Sequence, residues 1–268
     1  MNINEDRREV RREFRREIWR RALDSMTAGA DKREVVVKSL SLSLLAMLFT
    51  IPYFYYLVVA VPAEIGSTEN QGVWLFLVIE LFMLFVLLFL SSVIGLSFSK
   101  RYDLPGFGDV KKFLKSIPIL FVIGIVMIAV SFFFFDRFYF ELSPQSYPGE
   151  YKYLLTLPFK GALTDEIILR LGMTTIAVGL LRHKEAGVVL VSALSAFLVI
   201  KYNEFVGIPL QFDYLLISQL FLSFGANFLL GYLFVRYGLL FAMGLKFIFG
   251  LKYIVVTLLL GTVGWGVI

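Results

Sequence analysis

The residues with the greatest chemical reach in this sequence are charges set inside apolar runs. Asp165 and Glu166 are adjacent carboxylates, and Arg170 follows them in Asp165-Glu166-Ile-Ile-Leu-Arg170. Glu80, Lys201 and Lys246 complete the set. A charge at the centre of a bilayer costs about 2.5–3.5 kcal/mol even on a lenient scale, so these residues are expected to face a bundle interior and to pair. On a helix, Glu166 and Arg170 stand at i and i+4 and share a face, which lets the arginine hold the glutamate. Asp165 lies on another face, free to meet a neighbouring helix. Two carboxylates and a positioning cation make a unit that can activate water: one accepts the proton while the other is fixed by its ion pair.

Other chemistries are excluded. The chain has no cysteine and one histidine, His183. Disulfides, thiolate metal sites, cysteine nucleophiles, S-acylation and a His-Glu-x-x-His zinc site all drop out. His183 stands in the turn Arg182-His183-Lys184 and reads as a solvated loop residue. Neither a metal nor a cofactor is expected. Ser223, Asn227 and Gly231 recur at i, i+4 and i+8. That is a polar, small-residue face suited to close packing with an interhelical hydrogen bond, and Asn227 is its candidate binding residue. Glu80 is a candidate partner for Lys246 or Lys201.

The elements that must position these residues follow from composition. The 268 residues are 58% hydrophobic, 16% aromatic and only 18% charged, with a mean hydropathy of +0.78. Soluble domains run near about 45–50% apolar and roughly 25% charged, so an ordinary soluble enzyme is excluded. The expected fold is an all-α polytopic membrane protein of about eight helices. Apolar runs fall near 39–61, 73–98, 117–135, 159–181, 186–200, 214–235, 238–251 and 253–268. Three regions result: a charged arm (1–38), the first three spans with their loops (39–158), and a helical core (159–268).

The arm holds 11 Lys/Arg and 8 Asp/Glu. Val10, Phe14, Ile18, Trp19 and Leu23 form one stripe, which predicts an amphipathic helix, either lying on an anionic leaflet or solvated. The arm's small net charge argues against nucleic-acid binding. A cleaved signal peptide is not expected, because the first apolar run begins near Ser39, after a long charged segment. The arm, the 99–116 loop, the 182–185 turn and Arg236 together carry 19 of the 26 Lys/Arg. The loops 62–72 and 136–158 carry only Arg137 and Lys152. The positive-inside rule then predicts an integral protein of the cell membrane with a cytoplasmic N-terminus and its charged layer in the outer half.

Three stretches carry a family resemblance. Asp165-Glu166-x-x-x-Arg170 resembles the Glu-Glu-x-x-x-Arg motif of the CAAX-protease and bacteriocin-processing (CPBP) family of intramembrane endopeptidases. Phe197-x-x-x-Lys201 stands where that family has Phe-x-x-x-His. The run from Phe224 to Gly250 is similar to its glycine-containing helix, its turn, and its closing His-x-x-x-Asn/Asp helix. Lys246 stands at the histidine and Gly250 at the Asn/Asp. The match covers about 159–250.

The resemblance implies an intramembrane hydrolase core. Asp165 would be the base, Glu166 and Arg170 its support, Lys201 the partner of the attacking water, and Lys246 the oxyanion donor. The chain departs from the pattern at Asp165, Lys201, Lys246 and Gly250. A protonated lysine is a donor with no acceptor and cannot take a proton from water. The family constellation sums to −1, whereas Asp165, Glu166, Arg170, Lys201 and Lys246 sum to +1. A cation beside a carboxylate weakens it as a base. The expected function is therefore a catalytically impaired or atypical homologue that binds hydrophobic or lipid-modified peptides among membrane lipids. The alternatives are an active atypical protease using Asp165 and Glu166, a transporter or channel lined by buried ion pairs, and a binding scaffold.

Overall fold

The computed structural model describes residues 32–56, 73–142, 147, 151–205 and 214–264. The charged arm up to residue 31 and most of the 143–150 loop lie outside the described residues. Helix makes up 92% of the described residues, with no strand among them, so the packing is chiefly helix on helix. The helices are α1 (Lys32–Tyr55), α2 (Val73–Ser99), α3 (Val110–Ser131), α4 (Arg137–Leu142), α5 (Tyr151–Leu154), α6 (Thr156–Phe159), α7 (Thr175–Leu181), α8 (Lys184–Phe205), α9 (Tyr214–Tyr237), α10 (Leu239–Gly250) and α11 (Lys252–Gly264).

The exterior is that of a membrane protein. Leu48, Phe82, Ile119, Val122 and Phe221 are all more than 60% exposed, while Glu166, Arg170 and Asp136 are fully buried. Apolar side chains outside and charges inside invert the soluble pattern. Several buried hydroxyls are satisfied within their own helices: Ser43 donates to Ser39 O, Ser192 to Val188 O and Ser195 to Val191 O, each four residues back. Where water is scarce, that is the nearest available acceptor. Among the described residues five helical stretches are long and apolar enough to cross a membrane: Arg33–Tyr55, Trp74–Ser99, Val110–Glu141, Tyr214–Tyr237 and Leu239–Leu260.

Two expected boundaries are corrected. The apolar run near 117–135 does not give way to a loop at residue 136. A π-helical stretch (Phe132–Asp136) joins α3 to α4, and the helix runs on through residue 142. Likewise 238–251 and 253–268 are not separate crossings. Leu251 donates to Ile248 O at 3.0 Å, and Ile254 and Val255 donate to Leu251 O. α10 therefore passes into α11 without reversing.

One end of the bundle gathers the cationic connections. Lys184 donates to Asp103 Oδ2 at 2.8 Å, and Arg236 to Glu185 Oε1 at 3.1 Å. Leu239 and Leu240 donate to the carbonyls of Gly106 and Phe107. Gly238 has φ +103°, and a Cβ there would sit 2.5 Å from Gly108 Cα, so both the conformation and the contact need glycine. The 99–109 loop, the 182–184 turn and the α9–α10 turn thus meet at a single end. His183 is exposed there, beside Glu185 at 3.3 Å.

The segment carrying Asp165 is unusual. Residues 156–181 form one helix, but Lys160–Asp165 and Ile167–Thr174 are π-helical. The wider register shows in the side chains. Thr174 donates to Leu169 O at 2.7 Å and Thr175 to Arg170 O at 3.4 Å, each five residues back rather than four. π-Turns are rare and gather at functional positions.

Candidate functional site: a buried charge network on a π-helix

Arg170 is the centre of the network. Its Nε donates to Glu166 Oε2 at 2.9 Å, and both side chains are fully buried. The pair expected from i, i+4 spacing is present. Arg170 Nη2 donates to Asn227 Oδ1 at 2.8 Å, and Asn227 Nδ2 donates in turn to Ser223 O at 2.9 Å. A Cβ on Gly231 would lie 3.5 Å from Arg170 Nη1 and 2.8 Å from Val188 Cγ1. The Ser223, Asn227 and Gly231 face of α9 is thus the cradle of the guanidinium. Glu166 Oε1 and Arg170 Nη1 are buried with no hydrogen-bond partner among the described residues.

Asp165 has a partner that α-helical spacing does not reveal. Lys160 Nζ donates to Asp165 Oδ1 at 2.9 Å, and also lies 5.6 Å from the centre of the Tyr53 ring. Residues five apart in an α-helix fall on different faces, whereas the i→i+5 register of a π-helix brings them together. Asp165 is therefore not free, as expected from the sequence, but paired along its own helix. One residue earlier, Thr164 is bonded to Thr50 of α1 at 2.9 Å. Thr50 spends its own proton on Ala46 O, so Thr164 is the donor.

Lys246 reaches the same place from α10. A Cβ on Gly161 would lie 3.2 Å from Lys246 Cε and 3.9 Å from Asp165 Oδ2. The lysine stem and the second carboxylate oxygen thus flank one bare glycine. Lys246 forms no ion pair among the described residues, and Asp165 pairs with Lys160 instead. The Lys160 and Asp165 side chains remain 28% and 30% exposed, so this edge of the network is open.

Three expected site residues take other places. Lys201 is exposed, on the outward stripe of α8 with Leu190, Leu194 and Phe197. Its ammonium lies 5.7 Å from the Phe197 ring. The buried positions of that helix, Val188, Val191, Ser192, Ser195 and Ala196, are on the opposite side. Lys201 is accordingly not brought to Asp165. Glu80 is partly buried and pairs with neither Lys246 nor Lys201 among the described residues. Gly250 is a packing contact: a Cβ there would sit 2.8 Å from Pro158 Cα.

A second buried pair was not legible in the sequence. Lys252 Nζ donates to Asp136 Oδ1 at 2.8 Å and to Ser131 Oγ at 3.2 Å, and Tyr147 OH donates to the same Asp136 oxygen at 2.9 Å. Phe249 and Tyr253 flank the ammonium at 5.1 and 5.3 Å. This cluster ties α11 to the π-turn between α3 and α4, which is what carries the helix past residue 136. No group of three or more His, Cys, Asp or Glu able to hold a metal occurs among the described residues.

Comparison with protein families, with curated proteins and with solved structures returns no match for this chain.

Proposed function

We propose that this protein is a non-hydrolytic intramembrane homologue of the CPBP endopeptidases that holds a hydrophobic or lipid-modified peptide at the Asp165–Lys246 edge. One observation carries the reading: both motif carboxylates are committed to cations on their own helix, Glu166 to Arg170 and Asp165 to Lys160. Each pair engages one oxygen of its carboxylate, and the oxygen left over on Glu166 is buried inside the protein. Lys201, at the motif histidine, faces outward on α8. On this reading residues 156–181 and α8 also cross the bilayer. Together with the five apolar stretches they make seven passes where the sequence suggested about eight. The cation-rich end faces the cytoplasm by the positive-inside rule.

A specific observation favours one alternative. Asp165 Oδ2 accepts no hydrogen bond among the described residues and faces Lys246 across Gly161, the arrangement a base and an oxyanion donor would take in an atypical protease.

Photocrosslinking tests the ligand-holding reading. A farnesylated peptide with a photoreactive side chain is expected to label Leu239–Gly250 in the purified protein, and the same peptide without farnesyl to label it far less. Absence of labelling by either peptide would overturn it.

A further inference from the structure

The open edge of the network has a charge and a shape of its own. Lys160, Asp165 and Lys246 line it, and their charges sum to +1 because Glu166 and Arg170 cancel within the buried pair. Lys246 has no carboxylate within ion-pair distance among the described residues, although it stands in a stretch, Leu239–Leu260, long and apolar enough to cross a membrane. A cation in that setting calls for an anion. Beside it runs an aromatic row contributed by three segments: Phe49 of α1 stacks on Phe159 of α6 at 5.0 Å, and Phe159 meets Phe247 of α10 edge to face at 4.9 Å. Phe49 is 39% exposed, so the row opens to the exterior. Gly161 leaves the floor between Lys246 and Asp165 without a side chain.

We infer that this edge binds a single-chain anionic amphiphile, with its carboxylate or phosphate on Lys246 and its hydrocarbon chain along Phe49, Phe159 and Phe247. The inference refines the ligand of the proposed function and rests on that reading only for the location of the site. Lys246 supplies the charge that selects the head group, and Asp165 opposes it. The chain supplies the apolar area, so neither part suffices alone.

The test uses purified full-length protein in a neutral detergent, with thermal stabilisation as the readout. Oleate is expected to stabilise the wild type. Oleyl alcohol, which has the chain without the charge, and inorganic phosphate, which has charge without a chain, are expected to leave it unchanged. Lysophosphatidate against oleate distinguishes a phosphate head from a carboxylate head, and stabilisation by either supports the inference. Lys246→Gln should weaken apparent binding on the order of tenfold, the scale of one partly buried ion pair. Asp165→Asn should tighten it, a gain that misfolding does not produce. Equal stabilisation by oleate and oleyl alcohol, stabilisation by phosphate alone, or undiminished binding in Lys246→Gln would each overturn the inference. Peptide cleavage would instead overturn the non-hydrolytic reading and leave the amphiphile result standing.

Discussion

Arg170 shows what a buried charge contributes when its partners are built around it. Its guanidinium binds Glu166 on its own helix and Asn227 on α9, so one side chain joins two segments. Removing one member of such a pair strands the other charge and costs about 3–5 kcal/mol, whereas replacing both with apolar groups is close to neutral. Arg170→Met is therefore expected to lower stability by that amount, and Glu166→Leu with Arg170→Met to recover most of it, measured by unfolding in detergent. Equal loss in the single and double variants would show that the pair acts through shape rather than charge. This pair was legible in the sequence because i, i+4 spacing holds for it. The Lys160–Asp165 pair was not, because its spacing of five is diagnostic only once the helix is known to be π-helical. Asp136 and Lys252 stand 116 residues apart, and nothing local to either names the other.

At the scale of elements, several neighbours fix the 156–181 helix, and three of them do so through residues already described. α1 meets it through Thr50 and Thr164, α9 through Asn227 and Arg170, and α10 through Gly250 and Pro158. The last contact changes the meaning of a residue singled out from the sequence. Gly250 stands where the family carries an asparagine or aspartate, but the space beside it belongs to the Pro158 backbone. Gly250→Asn should therefore destabilise by about 1–3 kcal/mol, as overpacking does, rather than restore a donor. An unchanged melting temperature in that variant would mean α10 stands further from Pro158 than the contact shows. The element types were readable from apolar runs and turn residues. The boundaries at residues 136 and 251 were not, because buried partners and continuing backbone hydrogen bonds decided them.

Across the whole molecule, connections rich in lysine and arginine meet at one end, and the Asp165 layer sits nearer the other. Asp165 is nine residues from Thr156 and sixteen from Leu181. The natural absence of cysteine makes sidedness directly measurable. Lys112→Cys and His183→Cys are expected to react with a membrane-impermeant maleimide from the cytoplasmic side, and Glu141→Cys from the opposite side. Labelling of all three from one side would contradict the seven-pass arrangement. Composition already pointed to an all-helical chain, and the structure has helical stretches long and apolar enough to cross a membrane. The number of candidate spans depends on whether α10 turns back after Gly250, a question the apolar residues on both sides of Leu251 leave open until the backbone bonds across it are seen.

The Asp165–Lys246 edge is proposed to hold a ligand without hydrolysing it. The most direct measurement is mass spectrometry of a farnesylated peptide recovered after prolonged incubation with the purified wild type and with Asp165→Ala. Intact peptide is expected from both. Cleaved peptide from the wild type, with intact peptide from Asp165→Ala, would contradict it.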